Sequence, residues 1–253
     1  MSTSKIALVT GGSRGLGKDM AINLAKKGID VILTYNNNEA AAAEVVKTVE
    51  ALGQQAVALQ LNMADLKLYN AFVQQVVTTL QSKWNTNVFD FLINNAGIGG
   101  GVPFENVTET FFDEFLNVHF KGVYFLTQKL APYINNGGRI INISTGTTRF
   151  VNPGYSVYAS MKGAMEVLTK YLAKEFGAKG ITANIVAPGP IVTDFNNATI
   201  RNNPKLQEFL SSLSPLNRVG EAEDIGPVVA FLCTNDAAWI NGQRIEVAGG
   251  INL

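Results

Sequence analysis

The sequence predicts an α/β fold in which one doubly wound parallel sheet carries helices on both of its faces. Short apolar segments alternate with longer amphipathic segments along the whole chain. The apolar segments are hydrophobic nearly throughout, as expected for parallel strands that are covered on both sides. Regular alternation of strand and helix is typical of a doubly wound sheet. Because no linker, repeat or low-complexity segment divides the chain, we expect a single domain over 1–253.

The elements follow in order along the chain. The predicted strands are 6–10, 30–35, 56–61, 88–94, 139–144, 181–187 and 243–248, and the predicted helices are 15–27, 38–52, 65–83, 108–135, 154–178 and 221–234. In the helix from 154, apolar residues recur at steps of three and four. Segment 195–220 is polar and interrupted by prolines, so it is either a surface excursion or a lid over a site. Long loops on α/β scaffolds often carry function, which favours the lid.

The composition indicates a large core without an excess of either charge. Hydrophobic residues make up 47% of the chain, charged residues make up 16%, and Lys+Arg and Asp+Glu number 20 each. This balance argues against a general nucleic-acid binder, which needs a basic excess to neutralise phosphates. With His119 as the only histidine and Cys233 as the only cysteine, we expect no metal site.

Targeting signals and membrane spans are not expected. The N-terminal segment MSTSKIALVT has no long apolar stretch, and no apolar run reaches the length of a transmembrane helix. A single cysteine cannot form an internal disulfide, which fits a reducing compartment. We therefore expect a cytoplasmic protein that does not bind membranes.

A glycine-rich segment, TGGSRGLG, follows the first predicted strand and opens a helix. Gly11, Gly15 and Gly17 have the spacing G-x-x-x-G-x-G, a variant of the commonest dinucleotide-binding pattern. Glycines let the backbone turn tightly, and they let a pyrophosphate approach the N–H groups at the positive end of a helix. Three glycines alone would equally suit a structural turn. Their place between strand and helix favours nucleotide binding.

The end of the second predicted strand indicates which nicotinamide cofactor binds. A site specific for NAD usually places Asp or Glu there to hold the ribose hydroxyls. In this sequence Tyr35 and Asn36 occupy that position, and no negative charge would repel a 2′-phosphate. Arg14 in the glycine-rich segment is either a solvated loop residue or a bidentate partner of that phosphate. These residues favour NADP(H) over NAD(H).

The segment YSVYASMK carries two tyrosines and one lysine. In a helix, Tyr158 and Lys162 lie one turn apart on the same face, whereas Tyr155 is two turns from the lysine. An ammonium group beside a phenol lowers the phenol pKa from about 10 towards neutrality, as a proton donor requires. From these residues alone, Tyr158 is either such a donor or an ordinary core or surface residue.

Four motifs together resemble the short-chain dehydrogenases/reductases. They are TGGSRGLG, NNAG at 94–97, YASMK at 158–162 and APGPIVTDF at 187–195, and they occur in the order and spacing of that family. The resemblance covers about residues 5 to 250 and is strongest to the 3-oxoacyl-carrier-protein reductase type. It implies a Rossmann-like sheet of seven strands with the cofactor along the carboxyl edge.

The resemblance also implies a set of cofactor-binding residues. They are Gly11, Ser13, Arg14, Gly15, Leu16, Gly17, Tyr35, Asn36, Asn62, Met63, Asn95, Ala96, Gly97, Tyr158, Lys162, Pro188, Gly189, Ile191 and Thr193. Asn62 and Met63 would flank the adenine, and 95–97 would line the ribose and hold the central strands together. Segment 188–193 would contact the nicotinamide.

The catalytic residues implied by the resemblance are Tyr158, Lys162, Thr145 and His119. Tyr158 would be the acid/base, and Lys162 would lower its pKa and hold the nicotinamide ribose. Thr145 stands where the family usually has the serine that polarises the substrate oxygen, and the preceding Ser144 is the alternative donor.

His119 is a second departure from the family pattern. It stands where an asparagine usually binds the water of a proton relay, and Asn117 lies two residues away from that register. Imidazole can bridge a relay and titrates near neutrality, although a lone histidine on a helix is more often structural.

These residues predict an oxidoreductase that transfers a hydride between NADP(H) and a carbonyl or alcohol. The alternatives are an NAD-dependent alcohol or steroid-type dehydrogenase and a nucleotide-binding sensor without turnover; an intact Tyr158–Lys162 pair argues against the sensor. Segment 132–138 is neutral where an acyl-carrier protein would need basic residues, so a small free carbonyl compound is at least as good a substrate. The apolar helix 154–178 and the C-terminal segment predict a homo-oligomer, either a tetramer or a dimer.

Overall fold

The structure, a computed structural model, describes residues 4–253 and contains one parallel sheet. Its strands are β1 (Lys5–Val9), β2 (Ile29–Tyr35), β3 (Ala56–Gln60), β4 (Phe89–Asn94), β5 (Ile134–Ile143), β6 (Thr182–Pro188) and β7 (Arg244–Val247). They are ordered β3-β2-β1-β4-β5-β6-β7 across the sheet, and all neighbouring strands are parallel. The predicted doubly wound, seven-stranded sheet is confirmed.

Helices cover both faces of this sheet. They are α1 (Gly15–Lys26), α2 (Glu39–Ala51), α3 (Tyr69–Trp84), α4 (Glu109–Leu116), α5 (Gly122–Leu130), α6 (Ser156–Glu175), α7 (Phe195–Ala198), α8 (Pro204–Ser212) and α9 (Gly226–Leu232). One core lies between the sheet and α3, α5 and α6, and a second lies between the sheet and α1, α2 and α9.

Strand β1 shows why the predicted strands are apolar throughout. Ile6 and Leu8 pack into the first core, and Ala7 and Val9 pack into the second. Successive side chains of a strand point to opposite faces, so a strand covered on both faces needs apolar residues at every position.

The predicted helix over 108–135 differs most from the structure. Helices α4 and α5 are separated by a π-helical turn, Asn117–Lys121. The chain leaves the helix in a short 3₁₀ turn that contains Pro132, which cannot continue helical hydrogen bonding. Strand β5 then begins at Ile134 rather than at 139.

Two further predicted segments also differ from the structure. Helix α9 begins at Gly226 and has Pro227 in its first turn, so the predicted helix over 221–234 is shorter than expected. Segment 195–220 contains the regular helix α8 and the short α7, which is interrupted by left-handed Asn196 and Asn197. Asn203 caps α8 by accepting a hydrogen bond from the N–H of Leu206 at 3.1 Å.

Within residues 4–253, none of the helices combines the length and the hydropathy that a membrane span needs. The same part of the chain brings together no three His, Cys, Asp or Glu side chains as a metal site would require.

Candidate active site

The motif-bearing loops meet at one edge of the sheet. The glycine-rich segment follows β1, NNAG spans the end of β4, and the segments containing Thr145 and Pro188 lie at the ends of β5 and β6. Because all strands are parallel, their carboxyl ends share this edge, which is where open α/β sheets bind ligands.

The loop after β1 has a conformation that requires its glycines. Gly11 and Gly15 have φ values of +64° and +52°, in the region that favours glycine. A Cβ on Gly17 would lie 2.2 Å from the carbonyl oxygen of Gly11, so the first turn of α1 packs directly on the loop. Asn95 Nδ2 holds the same loop by donating to the carbonyls of Thr10 at 2.9 Å and Gly11 at 3.1 Å.

The N-terminus of α1 fits a phosphate group. No side chain caps the helix at Arg14, and no acidic residue lies in its first turn. The first N–H groups and the positive end of the helix dipole are therefore open to an anion. Arg14 itself is exposed beside them, and so is Asn36 beyond the end of β2, while Tyr35 is half-buried.

The residues expected beside the adenine differ in their exposure. Asn62 is exposed, and its Oδ1 accepts a hydrogen bond from Ala64 N at 3.0 Å. Met63 is 6% exposed and packs in the core, while its carbonyl accepts a hydrogen bond from the Tyr69 hydroxyl at 2.7 Å. The side chain of Met63 is thus not available to a ligand.

The NNAG segment ties the central strands together through side-chain amides. Asn94 Nδ2 donates to Asn142 Oδ1 at 2.8 Å and to Thr127 Oγ1 at 3.0 Å. Asn142 in turn donates to Thr169 Oγ1 on α6 at 2.8 Å. Sequence reasoning missed this buried chain of polar groups, since its members lie on four separate elements.

The segment after β6 lies close to the glycine-rich loop. Gly189 N donates to Val247 O at 3.0 Å, and a Cβ on Gly189 would lie 2.8 Å from Ala248 Cα. Ile191 forms an isolated parallel bridge with Gly220. The buried Thr193 side chain lies 3.7 Å from the position that a Cβ on Gly15 would occupy.

Tyr158 and Lys162 lie on α6 with the predicted spacing. The Lys162 Nζ atom is 5.8 Å from the centroid of the Tyr158 ring, and it donates to the carbonyl of Ile143 at 2.7 Å. Burial lowers the pKa of Lys162 to about 8. Burial also raises the pKa of Tyr158 to about 12, against the lowering effect of a hydrogen bond with Thr145. Burial is the largest cause of the Tyr158 shift, and the charge of Lys162 contributes no lowering of this pKa.

The structure separates Thr145 from Ser144. The side chain of Thr145 lies on the side of the candidate site, where it lowers the pKa of Tyr158, and its Oγ1 accepts a hydrogen bond from Thr147 N at 3.3 Å. Ser144 is 2% exposed, and its Oγ donates to Glu166 Oε1 at 2.6 Å. Successive residues of an extended chain point to opposite sides, which is why only one of the two can face Tyr158.

His119 lies on the π-helical turn and is 1% exposed. Its Nε2 is 2.9 Å from the carbonyl oxygen of Ile98 and 3.3 Å from Ile98 N, and the shorter contact, to a group that can only accept, assigns the proton to Nε2. Its Nδ1 is buried and meets no hydrogen-bonding partner among residues 4–253. Burial, and then the charge of Lys162, hold the pKa of His119 well below its usual range. The expectation that it titrates near neutrality is wrong, because a charged imidazole would be desolvated beside a cation.

Aromatic side chains surround the Tyr158 ring. The ring centroids of His119, Phe195 and Phe115 lie 5.1, 6.2 and 6.4 Å from that of Tyr158. Asn196 Nδ2, next to Phe195, donates to the Tyr155 hydroxyl at 3.2 Å. Segment 195–220 thus begins directly against the candidate site.

Comparison with known proteins supports this description. A family model described as enoyl-(acyl carrier protein) reductase matches residues 11–252. A 3-oxoacyl-acyl-carrier-protein reductase of Staphylococcus aureus is 37% identical over 255 residues, covering 100% of both chains. The chain belongs to the short-chain dehydrogenase/reductase family. This membership confirms the predicted enzyme class, an NAD(P)-dependent oxidoreductase acting on CH–OH and C=O groups.

Two other short-chain dehydrogenase/reductase relatives bear on cofactor and substrate. A hydroxynaphthalene reductase of Aspergillus fumigatus is 35% identical over 251 residues, covering 95% of this chain and 90% of that protein. The crystal structure of an angucycline C-6 ketoreductase with bound NADP has a TM-score of 0.93 and is 34% identical. The match covers 98% of this chain and 96% of that one.

Proposed function

We propose that this protein is an NADPH-dependent carbonyl reductase in which Tyr158 is the general acid. The observation that carries the proposal is the half-buried Tyr158 on α6, at the edge of the sheet where the glycine-rich loop begins, with Lys162 Nζ 5.8 Å from its ring and with the Thr145 side chain close enough to lower its pKa. Carbonyl reduction needs one group that gives a proton and one that polarises the substrate oxygen, and these two hydroxyls supply both.

The cofactor is NADP(H). The chemistry that it supplies when bound is hydride donation to the carbonyl carbon. Support comes from the uncapped N-terminus of α1, from the exposed Arg14 beside it, and from Tyr35 and Asn36 at the position of the missing carboxylate. The NADP bound by a structurally similar ketoreductase agrees with this assignment.

The protonation states favour reduction over oxidation. Tyr158 with a pKa of about 12 carries its proton at neutral pH, and a phenol readily protonates the much more basic alkoxide. The reverse reaction needs a phenolate, so its rate should rise with pH. His119 remains neutral and offers Nδ1 as an acceptor, which suits a residue that orients a water rather than one that carries the proton.

The substrate is an aromatic ketone that enters without a carrier protein. The exposed Phe195 ring, 6.2 Å from the Tyr158 ring, offers a stacking contact to a flat ring system. The relative that reduces a hydroxynaphthalene is consistent with this class. Segment 195–220 acts as the lid, held shut when Asn196 bonds the Tyr155 hydroxyl.

The protein assembles with copies of itself in the cytoplasm. Tyr124, Val167 and Tyr171 are exposed and line an apolar groove of 550 Å³ between α5 and α6. A second copy related by a two-fold axis would cover this groove, which gives a dimer or, with a second interface, a tetramer. Cys233 is an unpaired thiol, which fits a reducing compartment. Sedimentation that finds a stable monomer at micromolar concentration would contradict the assembly.

The decisive experiment measures NADPH consumption with a bicyclic aromatic ketone such as 1-tetralone and with acetoacetyl-coenzyme A. We expect turnover of the aromatic ketone, and a loss of about a thousandfold in Tyr158→Phe without loss of NADPH binding. Tyr155→Phe is the matched control: it removes only the hydroxyl that bonds Asn196, so it should lose far less activity than Tyr158→Phe. Full activity in Tyr158→Phe would overturn the assignment of the acid, and a preference for the thioester would overturn the substrate class.

A further inference from the structure

A cluster of polar side chains lies behind the loop that carries Thr145, on the side away from Tyr158. Its members come from the end of β5, the following loop, α6 and β7: Ser144, Thr148, Arg149, Glu166, Arg244 and Glu246. The hydride-transfer chemistry uses none of them directly.

Glu166 is the centre of this cluster. Ser144 Oγ donates to Glu166 Oε1 at 2.6 Å, and Thr148 Oγ1 donates to the same oxygen at 2.7 Å. Arg244 Nε reaches that oxygen at 2.8 Å. Burial alone would raise the pKa of Glu166, but these hydrogen bonds and the Arg244 charge lower it. The carboxylate therefore stays ionised and accepts three charge-assisted hydrogen bonds.

Arg244 also forms a hydrogen bond with the backbone of Thr145. Its Nη2 donates to the carbonyl oxygen of Thr145 at 3.3 Å and to Thr148 Oγ1 at 3.2 Å. Its Nη1 donates to Glu246 Oε2 at 3.1 Å, and Arg149 Nη1 donates to the same oxygen at 2.8 Å. The polar cluster thus holds the Thr145 loop at three points from one side. These points are Ser144, the carbonyl of Thr145 and Thr148.

Glu166 lies on the same helix as Tyr158 and Lys162, one turn beyond the lysine. Tyr158, Lys162 and Glu166 follow at intervals of four, so they lie along one face of the helix. The rigid helix that carries the proton donor thus also carries the anchor of the loop that polarises the substrate oxygen.

We propose that Glu166 and Arg244 are positioning residues that clamp the Thr145 loop to α6 and so set the separation of the Thr145 and Tyr158 hydroxyls. This inference rests on the proposed function. Misplacement of a reacting group by about 1 Å can cost about a hundredfold in rate, so a clamp of this kind acts on turnover rather than on binding.

The test compares Glu166→Gln with a matched control, Asp30→Asn. Asp30 is also buried and accepts hydrogen bonds from Gln55 N and Trp84 Nε1, but it lies at the opposite edge of the sheet. We expect Glu166→Gln to lower kcat by about tenfold or more, with KM and the Kd of NADPH within about twofold. Asp30→Asn should leave kcat unchanged.

Coupling to Thr145 separates positioning from a merely structural role. If Glu166 acts through Thr145, the double variant Glu166→Gln/Thr145→Val should be no slower than Thr145→Val alone. If the losses in kcat caused by the two substitutions add instead, the proposal is overturned. If Glu166→Gln does not fold, Arg244→Lys replaces it in the test. Lysine keeps the positive charge but lacks the guanidinium nitrogen that reaches Thr145. We therefore expect the same non-additive loss of kcat with Thr145→Val.

Hydrogen–deuterium exchange provides a measurement that needs no turnover. Amides of 144–150 should exchange faster in Glu166→Gln than in the wild type, whereas Asp30→Asn should leave them unchanged. Unchanged exchange in Glu166→Gln would overturn the clamp. A wild type that reduces no carbonyl would instead overturn the proposed function, and the exchange result would then decide the clamp by itself.

Discussion

Two carboxylates at the amino ends of the strands contrast with three titratable groups at the carboxyl ends. Asp90 accepts hydrogen bonds from Lys5 Nζ at 2.8 Å, Ile6 N at 2.9 Å and Asn135 Nδ2 at 3.0 Å. Asp30 accepts from a backbone N–H at 2.7 Å and from an indole N–H at 2.8 Å. These partners connect strands to neighbouring segments, so both carboxylates serve the fold.

At the carboxyl ends, burial changes the chemistry of the groups instead. Tyr158 has its pKa raised to about 12, Lys162 has its pKa lowered to about 8, and His119 leaves Nδ1 without a partner among the described residues. Perturbed groups that cluster in this way mark functional sites. The difference teaches that the burial of a polar group does not by itself show its role; its partners do.

The largest expected effect that tests this contrast is at Thr145. Thr145→Val removes the hydroxyl at nearly constant shape and should lower kcat by about a hundredfold, since one donor to the substrate oxygen is lost. Thr145→Ser should remain active because the donor survives. Ser144→Ala should cost less than Thr145→Val, as Ser144 faces Glu166. The opposite ranking in steady-state kinetics would move the donor to Ser144.

The next largest effect is expected at Arg14, which lies beside the N-terminus of α1. Arg14→Ala should weaken NADPH binding by about tenfold and leave NADH binding nearly unchanged, because a charge-assisted contact is worth roughly 1.5–3 kcal/mol. Fluorescence titration with both cofactors measures the change. Equal affinity for NADPH and NADH in the wild type would contradict the assignment of Arg14 to the 2′-phosphate.

A smaller effect is expected at His119. His119→Asn should keep activity within about tenfold, and His119→Leu should be slower because the acceptor in the site is lost. Since the pKa of His119 is held well below its usual range, the imidazole is neutral at neutral pH and above. The kcat profiles of wild type and His119→Asn should therefore have the same shape. An inflection near neutrality that disappears in the variant would show that the histidine titrates.

The remaining effect is on stability and follows from Lys162. The folded protein releases the Lys162 proton near pH 8, whereas the unfolded chain holds it to about pH 10.5. The unfolded state therefore binds more protons in this window, and the Lys162 contribution to stability rises as the pH rises from 8 to 10.5. In urea unfolding, the free energy of unfolding of Lys162→Met should fall relative to that of the wild type as the pH rises through this window. A constant difference would mean that burial does not perturb the lysine.

The sequence by itself determined the architecture, and it predicted the spacing of Tyr158 and Lys162 on one helix. Strands that are apolar at every position, separated by amphipathic helices, can bury both faces of a parallel sheet in few other ways. The glycine-rich loop and the spacing of Tyr158 and Lys162 are local patterns, and local geometry follows from sequence distance. The strand and helix predictions went wrong mainly at Pro132 and Pro227, where a proline ends or begins a helix inside an amphipathic pattern.

Only the tertiary structure decided how the groups at the site are held and charged. It turned Thr145 towards Tyr158 and Ser144 towards Glu166, and it kept His119 neutral. It also joined Glu166 to Arg244 across 78 positions of the chain, a contact that no local spacing encodes. The physical reason is that hydrogen-bond partners and desolvation depend on which distant segments pack together, and a pKa responds to that packing rather than to neighbours in sequence.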